Sequence, residues 1–405
     1  MKTVLFVGAG RHQRRAIEHA RGRGLRVVAV DRNELAPGLG SADVAEVVDF
    51  TDVEAVVGVA RREGVDGVLT VSADRAVPVV AAVAEKLGLP GIGNDTARLM
   101  THKLAMRDAL AAASVPQPPF AALRSEEDVE AGLAAAGLPA VLKPVDSGGQ
   151  RAVFRVESRA DLNGNLAEAM AESPTGEAIV EAFVEGIEMN GIVIAREGQA
   201  HLLTLSDRLR PPGIGFGVGW MHVYPPSIPA EQLRRAERIA ADSVQALGLR
   251  DGIAFPQLIA EPGGGDVVVV EVAARIPGGQ MADLVRHAVG VDLVEIALRQ
   301  ALGEPVPDEL ALARFSQPLA IRFFTAEPGP LRTGRVLEIG PLDPVLAADG
   351  VVQADTYLEV GETIRPVRRD GDRRGYVIAV GSTPEEAVAR ADAAAALLRV
   401  EVESS

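Results

Sequence analysis

Residues 255–275 read FPQLIAEPGGGDVVVVEVAAR, which is two strand-like runs on either side of a glycine turn. If these strands pair antiparallel about the central glycine, Gln257 lies opposite Glu271 with their Cβ atoms about 5 Å apart. Side chains alternate along a strand, so Ala273 and Arg275 share the face of Glu271. A carboxylate, an amide oxygen and a guanidinium that project together suit Mg²⁺ and a polyphosphate. A purely structural hairpin would not need Gln257 and Glu271 together between apolar residues.

A lysine in an arginine-rich chain marks a second segment. Lysine accounts for only four of the 41 basic residues, at positions 2, 86, 103 and 143. Lys143 lies in residues 140–151, AVLKPVDSGGQR, at the end of an apolar run and just before a glycine turn. Its compact ammonium can hold a phosphate oxygen while the backbone N–H groups of the turn cover the same phosphates. Lys103 lies on the helix predicted over 95–113. The alternative is two unconnected surface lysines beside a hairpin turn.

Residues 179–189, IVEAFVEGIEM, run from one predicted strand through a short break into another. Extended backbone at Ala182, Phe183 and Val184 can pair with the edge of an adenine, and Glu188 can accept hydrogen bonds from ribose hydroxyls. An acidic, solvated turn is the alternative interpretation.

The first 93 residues alternate short β-branched runs with helical stretches, which predicts a parallel sheet with right-handed crossovers. Gly8 and Gly10, followed by Asp31 after the second strand, mimic a dinucleotide-binding fingerprint. The third glycine of that motif is replaced by Gln13, which removes the close approach of helix and strand that the motif needs. The sequence therefore favours a Rossmann-like domain without NAD, and an NAD-dependent oxidoreductase stays the minor alternative.

The predicted fold class combines α/β and α+β parts. A chain of 405 residues is too long for one compact domain. We expect a Rossmann-like domain over 1–93, a nucleotide- and metal-binding domain over 94–309, and a C-terminal α+β lobe over 310–405.

Composition excludes several classes of protein. A formal net charge of -15 argues against nucleic-acid or anionic-membrane partners. No apolar run approaches the roughly 18–20 residues that a membrane span needs. The absence of cysteine excludes disulfides, thiolate metal sites and a cysteine nucleophile. These features predict a cytoplasmic protein.

Taken in order, these motifs resemble the ATP-grasp ligases, in the carboxylate–amine ligase branch that includes L-amino acid ligases. The resemblance covers nearly the whole chain, from a pre-ATP-grasp N-terminal domain to a C-terminal lobe that includes residues 374–378. It implies nucleotide binding by Lys103, Lys143, Ser147, Gly148, Gly149, Glu181, Ala182, Phe183, Val184 and Glu188, metal binding by Glu271 and Gln257, and phosphate binding by Arg275. The implied cofactors are ATP and Mg²⁺, with Mn²⁺ as an alternative metal.

Two positions depart from the family pattern. The family usually has a carboxylate where this chain has Gln257, and an asparagine where it has Ala273. An amide oxygen can still ligate Mg²⁺, but it brings no charge. A nucleotide-binding protein with weak or lost catalysis therefore stays open as an alternative to an enzyme.

Substrate contacts are predicted in two glycine-rich segments. Arg208 precedes residues 211–224, which contain Trp220 and His222, and such a loop can close over a bound acid. An arginine can hold the carboxylate of that acid, and His222 can act as a general base for an amine. The N–H groups of Gly278 and Gly279, which follow Arg275, can face a developing oxyanion. A surface hairpin and a structural histidine are the alternatives.

The predicted reaction joins a small carboxylic acid, an amino acid among the options, to an amine through an acyl phosphate, and releases ADP and phosphate. Lys143, Arg275 and His222 are the predicted catalytic residues. The predicted partners are these small molecules, and a homodimer is left open.

Overall fold

The computed structural model describes residues 1–210 and 218–403. Its N-terminal part has strands β1 (Thr3–Val7), β2 (Arg26–Asp31), β3 (Val44–Val47) and β4 (Gly67–Leu69), and helices α1 (Arg11–Gly22), α2 (Val53–Glu63) and α3 (Val77–Leu87). The strands form a parallel sheet in the order β3-β2-β1-β4. Buried valines and alanines line both faces of β1 and β2, as expected when helices cover both sides of a parallel sheet. The predicted Rossmann-like alternation is confirmed.

The glycine loop after β1 is filled by protein groups. The side chain of Gln13 is buried and donates from Nε2 to the carbonyl of Val71. The carboxylate of Asp31 accepts hydrogen bonds from the backbone N–H of Ala9 at 2.8 Å and of Asn33 at 2.9 Å. Because one oxygen of Asp31 binds the glycine loop and the other binds the backbone just after β2, the pattern that mimics a dinucleotide fingerprint serves to order these two loops.

The next part contains helices α4 (Asn94–Leu99), α5 (Lys103–Ala112), α6 (Val129–Ala136) and α7 (Arg159–Glu172), and strands β5 (Phe120–Leu123), β6 (Ala140–Pro144), β7 (Phe154–Val156) and β8 (Ala178–Ala182). Its sheet has the order β5-β8-β6-β7, and the predicted β6–β7 hairpin is confirmed. The prediction of one helix over 95–113 is wrong. His102 has an extended backbone and caps a new helix by accepting from the N–H of Ala105, so Lys103 is the first residue of α5.

The third part follows with strands β9 (Ile187–Arg196), β10 (Gln199–Leu209), β11 (Met221–Tyr224), β12 (Gly252–Ala260) and β13 (Val267–Ala273), and helices α8 (Ala230–Ala246), α9 (Met281–Val289), α10 (Leu293–Ala301) and α11 (Asp308–Ala311). Strands β12 and β13 pair antiparallel with Gln257 opposite Glu271, which confirms the predicted register. A bulge after Gln257 shifts the register in the rest of the hairpin. Since a bulge re-aims side chains locally, it interrupts the regular alternation of side chains just beyond Gln257.

The last part has strands β14 (Leu319–Phe323), β15 (Gly334–Ile339), β16 (Val351–Thr356), β17 (Thr363–Ile364), β18 (Gly375–Val380) and β19 (Val400–Val402), and helices α12 (Asp343–Leu346) and α13 (Pro384–Ala395). One sheet of eight strands runs in the order β13-β12-β9-β10-β11-β14-β18-β16. It continues from the third part into the last through the antiparallel pairing of β11 with β14. A small sheet, β17-β15-β19, completes the fold.

The N-terminal part packs on the eight-stranded sheet through one shared core. Phe6 and Ile17 bury their side chains in the same cluster as Leu284 of α9 and Ile321 of β14. At the end of β4, the N–H of Ser72 donates to the carbonyl of Ile276 at 2.9 Å. The chain after β4 is therefore held beside the residues that follow Arg275. Within residues 1–210 and 218–403, no helix has the length and apolar character needed to cross a membrane.

Candidate functional site

A cavity of ≈ 530 Å³ lies where the N-terminal part, the sheet β5-β8-β6-β7 and the eight-stranded sheet meet. Its walls include every predicted site residue except Trp220: Lys103, Lys143, Ser147, Gly148, Gly149, Glu181, Ala182, Phe183, Val184, Glu188, Arg208, His222, Gln257, Glu271, Arg275, Gly278 and Gly279. Its volume is in the range of small-molecule binding sites.

Lys143 belongs to a buried cluster of charges at the end of β6. Its Nζ lies 2.8 Å from Oε2 of Glu181, whose Oε1 accepts from Nε of Arg107 at 2.9 Å. Burial opposes the ionisation of Glu181, but the charges of Arg107 and Lys143 outweigh it and lower the pKa of its carboxyl to about 2. Burial lowers the pKa of the Lys143 amine. One anion thus fixes the position of the Lys143 ammonium in the cavity wall.

Arg107 connects the two sheets that form the cavity. Besides Glu181 on β8, it binds the carbonyls of Val269 at 2.9 Å and Val270 at 2.7 Å on β13. The side chain of Arg107 is only 1% exposed. Since a buried guanidinium must have its donors satisfied, Arg107 holds the strand of Glu271 at a fixed distance from the strand of Glu181.

Lys103 joins the glycine turn to the hairpin. Its Nζ donates to the carbonyl of Ser147 at 2.7 Å and lies 3.6 Å from Oε1 of Glu271. The hydroxyl of Ser147 donates to Glu172 at 3.2 Å, and Nη1 of Arg151 lies 3.0 Å from the same carboxylate. Residues 146–151, here named the flap, are therefore held at the cavity by hydrogen bonds at Ser147 and by an ion pair at Arg151.

Residues 182–184 at the end of β8, here named the hinge, already use part of their backbone in hydrogen bonds within the protein. The N–H of Ala182 donates to the carbonyl of Pro119 at 2.9 Å, and that of Phe183 donates to Pro139 at 3.0 Å. An adenine edge would therefore use Val184 at this hinge rather than the N–H groups of Ala182 and Phe183.

Glu188 faces two arginines instead of open solvent. Nη1 of Arg208 donates to Oε2 of Glu188 at 2.8 Å, and Nη2 of Arg210 contacts Oε1. Arg208 also lies 3.6 Å from Asp370. The predicted ribose carboxylate and the predicted substrate arginine are thus bonded to each other across β9 and β10.

The predicted metal ligands form a small oxygen set. Glu271 keeps 35% of its side chain exposed toward the cavity. Gln257 donates from Nε2 to Oδ1 of Asn190 at 3.3 Å, which directs its own oxygen away from Asn190. Among the described residues, no group of three or more His, Asp or Glu side chains surrounds a metal position. One carboxylate and one amide oxygen form a ligand set that Mg²⁺ can use, because this ion usually takes one or two carboxylates and completes its shell with water and substrate phosphates.

Arg275 is clamped by a residue that the sequence did not single out. Its Nε and Nη2 donate to the two oxygens of Asp74 at 2.7 and 2.9 Å, while Nη1 is buried without a hydrogen-bond partner among residues 1–210 and 218–403. Burial opposes the ionisation of Asp74, but Arg275 keeps the pKa of its carboxyl below the ordinary value. A Cβ atom on Gly148 would lie 2.7 Å from Oδ2 of Asp74, so a larger residue at this point of the flap would have to displace the carboxylate that binds Arg275.

His222 is buried with its edge against the ring of Phe323, at 5.4 Å between centroids. Its Nδ1 lies 3.3 Å from Nδ2 of Asn190. Burial, followed by the charges of Arg373 and Arg208, lowers the pKa of the imidazole well below its ordinary value, although the nearby backbone of Asp207 opposes this. His222 is therefore neutral near pH 7.

Trp220 corrects one prediction. Its ring packs against the guanidinium of Arg322 at 4.0 Å and against the side of the sheet covered by α13, and it does not line the cavity. Trp220 precedes β11, so the strand alternation that aims His222 into the cavity does not extend to it. Residues 211–217 of the predicted closing loop lie outside the described residues.

Four functional candidates were missed from the sequence: Arg107, Asp74, Asn190 and Arg373. Arg107 had a signal, because it lies one helical turn after Lys103 on α5. Arg373 directly precedes residues 374–378, which carried the resemblance of the C-terminal lobe. Asp74 and Asn190 had no local signal, since their partners lie on other elements.

Three family descriptions match parts of the chain. They are "ATP-grasp N-terminal domain" over residues 17–91, "D-ala D-ala ligase C-terminus" over 109–213 and "L-amino acid ligase C-terminal domain 2" over 322–403. The first lies in the N-terminal part, the second begins in the next part and reaches into the third, and the last lies in the C-terminal part of the chain.

Known proteins are similar over most of the chain. A D-alanine–D-alanine ligase of Desulforudis audaxviator (strain MP104C) is 30% identical over 290 residues, which is 66% of this chain and 88% of that protein. A formate-dependent phosphoribosylglycinamide formyltransferase of Synechococcus sp. (strain CC9605) is 27% identical over 406 residues, covering 98% of this chain and 97% of that protein.

A solved structure agrees on the fold. The crystal structure of an L-amino acid ligase from Bacillus licheniformis superposes with a TM-score of 0.84 at 22% identity, over 100% of this chain and 99% of that chain. The match with the ligase of Desulforudis covers 88% of that enzyme. The three family matches follow one another along this chain, from the N-terminal domain to the C-terminal one. The chain therefore belongs to the ATP-grasp ligases, in the branch of ATP-dependent enzymes that join a carboxylate to an amine.

Proposed function

We propose that this protein phosphorylates a small carboxylic acid with ATP and then lets an amine displace the phosphate, with amino acids as the first substrate class to test. The observation that supports this most directly is the cavity itself, in which Lys103, Lys143, Glu271 and Arg275 converge under a glycine flap. This arrangement supports the proposal, because phosphoryl transfer needs cations and a metal-binding carboxylate close to the transferred phosphate.

The nucleotide occupies the end of the cavity near β8 in this proposal. The backbone of Val184 meets the adenine edge, and Glu188 faces the ribose. Lys143, held by Glu181, and Lys103, held by Ser147, donate to the phosphates, because an ammonium has three donors and each uses only part of them. The N–H groups of the flap complete the phosphate site.

Glu271 and Gln257 would hold Mg²⁺ through a carboxylate and an amide oxygen. When bound, Mg²⁺ would supply positive charge that offsets the charge of the phosphates during phosphoryl transfer. Lys103, at 3.6 Å from Glu271, keeps the carboxylate directed at the phosphate end of the cavity.

The reacting groups meet near Arg275. A carboxylate oxygen of the acid attacks the γ-phosphorus, the bond between that phosphorus and the β,γ-bridging oxygen breaks, and ADP leaves. The amine nitrogen then attacks the acyl carbon, the bond to the phosphate oxygen breaks, and the amine loses a proton. Nη1 of Arg275, which has no hydrogen-bond partner among the described residues, and the N–H groups of Gly278 and Gly279 would bind the oxygens that gain charge.

A nucleotide-binding protein with little catalysis is the second candidate. It is favoured by the neutral Gln257 and by Ala273, which is 6% exposed and packs in the core instead of offering a ligand. An enzyme releases phosphate only when both substrates are present, whereas a binding protein holds ATP without turnover.

The test is phosphate release from ATP and Mg²⁺ over a matrix of acids and amines. The acids include amino acids and formate, and the amines include amino acids and phosphoribosylglycinamide, the substrate in the name of the Synechococcus relative. Release that requires one acid and one amine together, with the amide found by mass spectrometry, supports the ligase. Tight binding of ATP without release for any pair supports the second candidate.

Nucleotide is expected to protect the flap from trypsin by at least about tenfold. Arg151 is the basic residue of the flap, and closing its ends over bound phosphates should slow the local opening that a protease needs. Cleavage after Arg151 is followed by mass spectrometry with and without a non-hydrolysable ATP analogue. Cleavage within residues 234–238, on the distant helix α8, is the control, and equal protection at both places would contradict a specific role for the flap.

A further inference from the structure

Three polar side chains form a line from the hairpin to the cavity. Nε2 of Gln257 donates to Oδ1 of Asn190 at 3.3 Å, and Nδ2 of Asn190 lies 3.3 Å from Nδ1 of His222. Asn190 is 2% exposed and His222 is 3% exposed. Buried polar groups like these require partners, so each link in the line constrains the next.

The direction of the line is set by Gln257. An amide nitrogen only donates and an amide oxygen only accepts. Because Gln257 donates to the oxygen of Asn190, the nitrogen of Asn190 is left to donate to the ring of His222. With the Asn190 amide in this orientation, Nδ1 of the neutral imidazole accepts from Asn190 and the single ring proton lies on Nε2. The competing arrangement is a ring proton donated from Nδ1 to the backbone of Asp207, with Asn190 turned to match.

Nε2 of His222 faces the reacting end of the cavity. A Cβ atom placed on Gly279 would lie 3.2 Å from Nε2 and 3.3 Å from Nη1 of Arg373. Arg373 uses its Nε and Nη2 on the carbonyl of Gly219, at 3.0 and 2.6 Å, which leaves Nη1 for this space. Two donors therefore converge over the backbone of Gly279.

We infer that Gln257 and Asn190 are positioning residues that hold His222 as the neutral Nε2–H tautomer, so that His222 donates a hydrogen bond to the substrate carboxyl group. This differs from the general base predicted from the sequence. A donor aimed at an oxygen that gains charge stabilises the attack of the amine, and a neutral imidazole can serve in this way. The identity of the receiving oxygen rests on the proposed function, whereas the tautomer does not.

The inference also gives a reason for glutamine at position 257. A glutamate there could only accept, so Asn190 would have to turn its nitrogen toward Glu and its oxygen toward His222. The imidazole would then carry its proton on Nδ1, and Nε2 would face the cavity as an acceptor. Gln257→Glu therefore reverses the proposed role of His222 without touching the ring.

The test is the ¹⁵N spectrum of histidine side chains, in which protonated and unprotonated ring nitrogens have well-separated shifts. The chain has six histidines, and loss of a signal in His222→Gln assigns that of His222. In the wild type we expect Nδ1 unprotonated and Nε2 protonated. In Gln257→Glu we expect the two shifts to exchange, and in Gln199→Glu, an exposed change on β10, no exchange.

A wild-type proton on Nδ1, or an unchanged tautomer in Gln257→Glu, would overturn the inference. The wild-type spectrum decides the first point even if the variant does not fold. In a turnover assay at saturating Mg²⁺, which is needed because Gln257 is also a proposed metal ligand, Gln257→Glu should lose about 10²- to 10³-fold in kcat, the effect of one lost oxyanion donor. If Gln257→Glu shows exchanged shifts of the two His222 ring nitrogens but turns over at the wild-type rate, His222 does not act as the hydrogen-bond donor. If the wild type has the expected ring but never releases phosphate, the proposed function fails and the tautomer assignment stands.

Discussion

Glu271→Gln is expected to lower the rate of ATP-dependent ligation by at least about a hundredfold to a thousandfold, the scale of losing one electrostatic group at a transition state. Glu271 is the carboxylate that faces the cavity beside Gln257, so this variant would leave two neutral amides to hold Mg²⁺. Nucleotide should still bind, because the hinge and both lysines are unchanged. Phosphate release, measured over a range of Mg²⁺ concentrations, and equilibrium binding of an ATP analogue separate the two effects.

Glu261→Gln is the matched control for this experiment. Glu261 is exposed at the far end of the same hairpin and does not line the cavity. Wild-type turnover in Glu271→Gln would show that the metal site has been assigned to the wrong residues. Loss of nucleotide binding together with turnover would instead indicate that the hairpin has been distorted.

Lys143→Arg is expected to weaken binding of an ATP analogue by about tenfold to a hundredfold, the scale of one hydrogen bond to a charged group. Lys143 is buried with its Nζ at 2.8 Å from Glu181, and Arg107 takes the other oxygen of that carboxylate. A planar guanidinium is larger and directs its charge differently, so it cannot occupy the space of an ammonium there. Isothermal titration with the analogue measures the loss, although net charge is preserved.

Lys86→Arg makes the same chemical change on the surface of α3. Lys86 is exposed and contacts only Glu54 among the described ion pairs, so an arginine can take its place. Its analogue affinity should stay within twofold of wild type, as expected for a surface pair. Equal behaviour of the two variants would mean that Lys143 is not a nucleotide ligand.

The sequence was most informative where a pattern is local. The pairing of Gln257 with Glu271 follows from a symmetric hairpin, and the alternation of strands and helices predicts the N-terminal sheet. The helix over 95–113 was wrong because a single capping side chain, that of His102, divides it. Periodicity does not reveal such a break when apolar residues continue on both sides.

Contacts between distant segments could not be predicted in this way. Asp74 binds Arg275 across 201 positions of sequence, and no spacing rule relates them. Asn190 lies on a strand between Gln257 and His222, and its role depends on the order of strands in the eight-stranded sheet. The role of Trp220 was misjudged for a related reason, since the side of the sheet on which it lies is decided by its packing against Arg322.

The continuous eight-stranded sheet has a consequence for recombination between members of the family. Exchanging the segment after residue 309 for that of a relative would remove β14, β16 and β18 and leave β11 as a bare edge. An unpaired edge strand invites aggregation, so a chimera cut there should be poorly soluble unless the incoming β14 matches β11 in register. Substrate preference in this chain is therefore better altered by changing cavity side chains than by shuffling its C-terminal third as a module.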